Sequence, residues 1–267
     1  MNRTFANYHT QRAAFRALFV ENCSHRILLL KGDSGSGKSS LLRACLTERP
    51  ENANLVAIEL RNTLMGVEEI LSRSTLSIGK EHLPRYTKCV HELANRKSHV
   101  NVSDVTQMGE KNNLSVTLNI QNLRESEQRS LTEAWFEDVN EMRAPLIVAF
   151  DTYELAITEV KNWISGSFLS RSANCSTLRV AIAGQDVPEP GIEAWGQCYA
   201  LHELFGVREA KEWMPVVEAL GKVIPAENPL DWMAGTCNAL KGKPKEIMEI
   251  IKTLPSACSI MSESNRQ

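Results

Sequence analysis

Apolar residues in this chain fall into two kinds of run. Short blocks with little polar interruption occur at "RILLLK" (26–31), "NLVAIEL" (54–60), "PLIVAF" (145–150) and "TLRVAIAG" (177–184). Between them lie longer stretches in which apolar residues recur every three or four positions. Blocks of the first kind read as strands buried on both faces, and the recurrences read as amphipathic helices. The spacing predicts a helix over 8–22, with Phe15, Leu18 and Phe19 on one face. Further helices are predicted from Lys38 to about Glu48 (ended by Pro50), twice across 64–96, over 125–142, and after "DTYE" through Phe168. "DVPEPG" at 186–191 is a loop, and "CYALHEL" at 198–204 is a last short strand. Residues 99–121 alternate Val, Leu and Ile with polar residues around a turn-rich "GEKNN", which predicts a β-hairpin with one wet face. Beyond Phe205 the pattern is helical only, at 207–221, 228–241 and 243–254.

Strands that alternate with helices and lack polar alternation imply a mostly parallel sheet between helices. The expected class is α/β. The expected organisation is a core over 1–205 that carries the hairpin, a small helical subdomain over 206–255 and a disordered polar tail over 256–267.

Bulk properties narrow the classes of function. The 267 residues are 43% apolar and 23% charged, and the net charge of -2 gives no global field toward nucleic acid or membrane. Charge is uneven: residues 1–50 hold eight Lys/Arg against three Asp/Glu, and residues 125–160 hold two against nine. That unevenness reads as two solvated faces. The seven cysteines (23, 45, 89, 175, 198, 237 and 258) form no CxxC pair and no zinc-ligand spacing, as expected of reduced thiols in a cytoplasmic protein. The N-terminus "MNRTFANYHT" has no apolar signal core. The longest apolar runs are roughly half of the ~20 residues that span a bilayer.

"KGDSGSGKSSLL" at 31–42 carries the clearest chemistry. Gly32, Gly37, Lys38 and Ser39 fit GxxxxGK[ST] between a predicted strand and a predicted helix. Glycines let the backbone N–H groups of Asp33, Ser34, Gly35, Ser36 and Ser40 turn inward on phosphate oxygens, and the helix N-terminus adds its dipole. Lys38 is placed to reach the β- and γ-phosphates, and the Ser39 hydroxyl to ligate Mg2+. A second half must come from an acid at a strand end, and Asp151 directly follows "LIVAF". Asp151 suits the metal and also suits a helix N-cap. Glu154, three residues on, is placed to deprotonate an attacking water, or to favour a helix dipole. Thr152 stands where many ATPases place the base, and a threonine cannot serve as one. Gln185, at the tip of the strand "TLRVAIAGQ", is the candidate γ-phosphate sensor. Arg171 and Arg179 are candidate charge stabilisers that the sequence cannot assign. The five tryptophans (135, 163, 195, 213 and 232) fall on helical or apolar stretches and read as core.

Taken together, "GDSGSGKSSLL", "LIVAFDTYE" and "LRVAIAGQ" resemble the ATPase core of the STAND class, a branch of the AAA+-related P-loop ATPases. "GKP" at 242–244 is similar to that class's Gly-x-Pro motif, in which the proline lies near the adenine; here that residue is Pro244. The resemblance implies ATP and Mg2+ as ligands, slow hydrolysis and a nucleotide-controlled switch acting on a protein partner or on self-assembly. Gln185 stands where the class often has arginine. The main alternative is a DNA-associated AAA+ ATPase of the transposition or loader type, whose sign would be a basic stripe; Lys241, Lys243, Lys245 and Lys252 lack a reading face beside them. A P-loop small-molecule kinase is a lesser alternative, set back by the 113 residues between Lys38 and Asp151. An ABC transporter ATPase needs an LSGGQ-like signature, which "LSRST" at 71–75 is not.

Overall fold

The computed structural model describes residues 8–21, 23–61, 65–99, 113–191 and 195–256. Strands β1 (Ile27–Gly32), β2 (Asn54–Glu59), β3 (Leu146–Asp151), β4 (Leu178–Gly184) and β5 (Tyr199–Leu204) form one sheet. Its spatial order is β2-β3-β4-β1-β5, with every pairing parallel. This is the α/β class expected from the uninterrupted apolar blocks, since strands buried on both faces need helices on both sides.

Side chains alternate between the two faces. Ile27, Leu29, Val148, Phe150, Val180 and Ile182 face a core that includes residues of α3 (Val67–Ile78), α5 (Asn113–Asn140), α6 (Thr158–Trp163) and α7 (Leu169–Asn174). A π-helical stretch, Ile164–Phe168, joins α6 to α7. The Phe168 ring there packs on Trp163 at 4.7 Å, Phe136 at 5.4 Å and Phe150 at 5.5 Å between centroids. Each such pair adds about 0.5–1.5 kcal/mol beyond its buried area. The buried indole donors are satisfied: Trp135 Nε1 donates to Ser74 Oγ at 2.7 Å and Trp163 Nε1 to Thr132 Oγ1 at 3.1 Å. Asp138 of α5 accepts from the backbone N–H of Tyr86 at 2.9 Å, which caps the start of α4 (Pro84–His99) from outside the helix.

Leu28, Leu30, Ile147, Ala149, Ala181 and Ala183 form the opposite face. Their core is completed by α1 (His9–Ala17), α2 (Lys38–Thr47) and three C-terminal helices, α8 (Ala210–Ala219), α9 (Pro229–Ala239) and α10 (Pro244–Thr253). The alanines leave room for α2, which packs over β1, β3 and β4. In α9, Asn228 caps the start by accepting from the N–H groups of Leu230 and Asp231, and Pro229 supplies the first turn. Of the tryptophans read as core, 135, 163, 195 and 213 are buried, and Trp232 packs against the cluster from a half-buried position.

The expected hairpin at 99–121 is not a hairpin where it is described. His99 ends α4, and 113–121 is the start of α5; residues 100–112 lie outside the described residues. The alternation in "NLSVTLNI" also places Leu114 with Leu118 and Val116 with Ile120 at helical i,i+4 spacing, so the period is ambiguous over so short a run. Continuity with the strongly helical 125–140 decides it. The tail from 257 onward also lies outside the described residues.

Helix α1 is clasped to α2 by charge. Arg12 Nε donates to Glu48 Oε1 at 2.6 Å, and Arg16 Nη1 to Glu48 Oε2 at 2.6 Å. Burial pushes the Glu48 carboxyl up, but the two arginines outweigh it and hold it below its ordinary 4.5. A carboxyl depressed by folding contributes stability above its unfolded pKa, and that contribution is lost as pH falls through the folded value. Glu48→Gln is therefore expected to cost about 1 kcal/mol at neutral pH. Denaturant titrations should show a constant gap between the two proteins down to about pH 4.5, closing below it as Glu48 protonates. A gap that persists in strong acid would show that the clasp acts by packing and not by charge.

Candidate functional site

The parallel register brings three strand ends together. Lys31 of β1 lies opposite Gly184 of β4, and Asp151 of β3 lies opposite both Ala183 of β4 and Glu59 of β2. The turn leaving β1 carries Gly35 and Gly37 at φ values of 84° and 90°, in the left-handed region that favours glycine. Helix α2 starts immediately afterwards, with Lys38 as its first residue.

Lys38 is buried, and its Nζ donates to the carbonyls of Gly32 at 2.6 Å and Asp33 at 2.8 Å. Burial lowers its pKa, while Glu154, Asp151 and Asp33 pull the other way. Ser39 Oγ donates to Asp151 Oδ1 at 2.9 Å. The same carboxylate oxygen accepts the backbone N–H of Thr152 at 2.9 Å. Thr152 is held at φ 62°, a conformation that costs a β-branched residue about 1–2 kcal/mol. That turn leads into a single 3-10 turn, Tyr153–Leu155, which presents Glu154.

Glu154 is anchored at three points. Its Oε2 accepts the backbone N–H of Gln185 at 2.9 Å, its Oε1 accepts Gln185 Nε2 at 3.3 Å, and its carbonyl accepts Lys161 Nζ at 2.8 Å. A Cβ at Gly184 would lie 2.9 Å from Glu154 Oε2, so a side chain there would displace the carboxylate. Gln185 is thus engaged with the candidate base.

These groups line a cavity of about 500 Å³, in the size range of small-molecule sites. Of the residues expected there, Ser34, Gly35, Gly37, Lys38, Ser39, Ser40, Asp151, Glu154, Gln185 and Pro244 line it. Gly32, Asp33 and Ser36 shape the loop without lining the cavity. Arg171 and Arg179 are elsewhere. Arg171 pairs with Glu133 at 2.9 Å, and Arg179, at the start of β4, donates to the carbonyls of Leu18, Ser176 and Leu178. The start of β4 lies at the opposite edge of the sheet from the glycine loop, Arg171 sits on α7, and neither lines the cavity.

Several lining residues were not expected. Tyr8 packs under the loop, and its hydroxyl donates to the Ser36 carbonyl. Burial pushes this phenol up to about 12, so it keeps its proton at neutral pH. Trp213, Val216 and Met248 supply an apolar wall from α8 and α10, and Arg61, beyond β2, also lines the cavity. The wall closes on the loop directly: the backbone N–H of Lys245 donates to the Gly35 carbonyl at 3.3 Å, and a Cβ on Gly37 would lie 3.4 Å from Pro244 Cγ. Tryptophan and methionine on amphipathic helices carry no sign of a cavity, and Tyr8 stands alone before α1, so no local pattern marks them.

The residues fit a nucleoside polyphosphate with a hard divalent cation. The loop turns through left-handed Gly35 and Gly37 and holds the buried Lys38 ammonium at its base. Ser39 and Asp151 place a hydroxyl and a carboxylate side by side, the oxygen donors such a cation takes.

No protein-family model matches the sequence, and no curated protein matches it. Among solved structures the chain is similar to Cdc6p from Pyrobaculum aerophilum, at 12% identity and a TM-score of 0.54, covering 98% of this chain and 65% of that one. It is also similar to the Orc1 protein of Aeropyrum pernix, solved in complex with DNA, at 13% identity and a TM-score of 0.50, covering 99% of this chain and 62% of that one. The chain thus spans slightly less than two thirds of the length of these proteins. Among the described residues no helix is long and apolar enough to cross a membrane. At such identities the likeness is one of fold alone, an α/β fold built on a parallel sheet.

Proposed function

We propose that this protein binds ATP with Mg2+ between the phosphate loop and the C-terminal helices and hydrolyses it slowly. The nucleotide state then acts as a switch for self-assembly or for a protein partner, as in the STAND class. The observation that carries this reading is the Ser39–Asp151 pair at 2.9 Å, set in a cavity whose other walls are the phosphate loop, Glu154 and the lid formed by α8 and α10. Tyr8, Trp213 and Pro244 make the apolar end suited to a flat base, and Lys38, Asp151 and Glu154 make the polar end suited to phosphate.

In this reading the loop N–H groups and Lys38 bind the phosphates, and Ser39 and Asp151 hold Mg2+, which neutralises phosphate charge when bound. Glu154 accepts the proton of the attacking water. Gln185 fixes both carboxylate oxygens of Glu154, so the base is oriented before substrate arrives. Catalysis here is positioning and electrostatics, without a covalent intermediate. The cytoplasm, where the thiols stay reduced, is the compartment we assign.

A second reading, a DNA-associated ATPase, is favoured by the likeness to an Orc1 structure solved with DNA. Surface charge supports it less, because Lys243 and Lys252 are paired with Glu246 at 3.2 Å and Glu249 at 2.8 Å.

Calorimetric titration is expected to show ATP binding by the wild-type protein and none by Lys38→Ala; equal affinities would remove the site. Glu154→Gln is expected to bind ATP normally and lose about 10²–10⁴-fold in turnover. Retained hydrolysis would reduce Glu154 to a strand-tip spacer. A turnover rate raised by DNA, with a steep salt dependence, would favour the second reading.

A further inference from the structure

We infer that Arg61 is the group with which this chain recognises the terminal phosphate of the bound nucleotide and stabilises the charge that develops on it. The inference rests on the ATP reading above and adds a residue to it. Arg61 lies two positions beyond β2, whose last residue, Glu59, is in register with Asp151. The intervening Leu60 donates its N–H to the Asp151 carbonyl at 2.9 Å. The chain leaving β2 is therefore tied to the residue assigned to the metal, and Arg61 opens into the cavity with Lys38, Asp151 and Glu154. Among the described residues it is the one arginine that lines the cavity.

Charge makes its position informative. At the polar end, Asp151 and Glu154 bring two negative charges against one positive charge from Lys38. A terminal phosphate placed there adds more negative charge, and Arg61 supplies a cation from the chain that leaves β2 beside Asp151. Lys245 and Lys252 line the cavity from α10, on the lid side, and Lys252 shares its charge with Glu249 at 2.8 Å, whereas Arg61 comes from just beyond the strand beside Asp151. Arg61 is engaged only through Nε, which sits 3.1 Å from Glu59 Oε1. Both side chains are exposed, at 68% and 51%, so this bond is readily exchanged. Among the described residues its two terminal nitrogens make no hydrogen bond, and that free edge of the guanidinium matches a phosphate bidentately. A lysine could offer charge there without the matched geometry.

The test compares ATP and ADP on the full chain, each titrated with Mg2+, using a non-hydrolysable ATP analogue for binding and ATP for turnover. Arg61→Gln is expected to weaken the ATP analogue by roughly tenfold or more while leaving ADP affinity unchanged. Turnover should fall by about 10²-fold. Arg61→Lys should recover part of both. Glu59→Gln separates a ligand role from a merely structural pair, because it breaks the same surface pair and yet should keep or increase the preference for the ATP analogue. An unchanged ATP-to-ADP ratio in Arg61→Gln overturns the inference, as does a loss that Glu59→Gln reproduces. Should the wild type bind both nucleotides through Lys38 while Arg61→Gln behaves like wild type, the inference alone falls. Should the wild type bind neither nucleotide, the ATP reading and the inference fall together.

Discussion

Everything at the polar end of the cavity depends on the hydrogen-bond ladder between β1, β4 and β3. Neighbouring strands lie about 4.8 Å apart, and a parallel ladder fixes which residues stand level with one another. Lys31 is level with Gly184, and Ala183 with Asp151. The glycine loop after β1, the Asp151 carboxylate and a backbone donor for Glu154 therefore meet, although 113 residues separate Lys38 from Asp151 in the chain. A slip of one residue between β3 and β4 would take Asp151 out of level with Ala183 and bring a larger residue toward Glu154 in place of Gly184. The apolar residues on both faces hold the register, so the core of the fold and the geometry of the site are one property.

The loop and its neighbours are held in arrangements that isolated segments would not choose. Lys38 is buried at a cost to its charged form, with the carbonyls of Gly32 and Asp33 as its direct partners among the described residues. Thr152 is held left-handed, and Gly184 is pressed so closely by Tyr153, Glu154 and Asp186 that no side chain fits. Strain gathered at one strand edge is what a preorganised site requires, since the surrounding ladder maintains it. Tyr8 adds to this from outside the loop: its hydroxyl fixes the Ser36 carbonyl, and the Arg12–Glu48–Arg16 clasp fixes the helix that Tyr8 precedes.

Much of this arrangement is legible in the residues alone. The four uninterrupted apolar blocks are β1 to β4, and Lys38, Ser39, Asp151 and Glu154 converge as their positions at strand ends require. Such signals are local, because a buried strand or a glycine turn needs only its own sequence to announce itself. The segment 113–121 was misread because eight alternating residues satisfy a strand period and a helix period at once. Arg171 and Arg179 were plausible only while their strand end or helix face was unknown. Tyr8, Arg61 and Trp213 were invisible for the opposite reason: each becomes part of the cavity through packing between segments far apart in sequence.

The apolar cluster on the α2 face of the sheet does not stop where the core was expected to end, near 205. Leu28, Leu30 and Ala183 of the strands belong to one buried set with Trp213, Ile247 and Ile251 of the C-terminal helices. Swinging those helices away as a hinged flap would wet this shared surface, at about 2–3 kcal/mol for a large side chain such as Trp213 alone. A hinged opening would have to be driven by a difference in ligand contacts of at least that size. In the nucleotide reading proposed above, a shear in which α8 and α10 slide over the sheet and exchange apolar neighbours would cost less than an opening. A partner reading such a change would have to recognise a displaced ridge of helix and not a newly opened cleft.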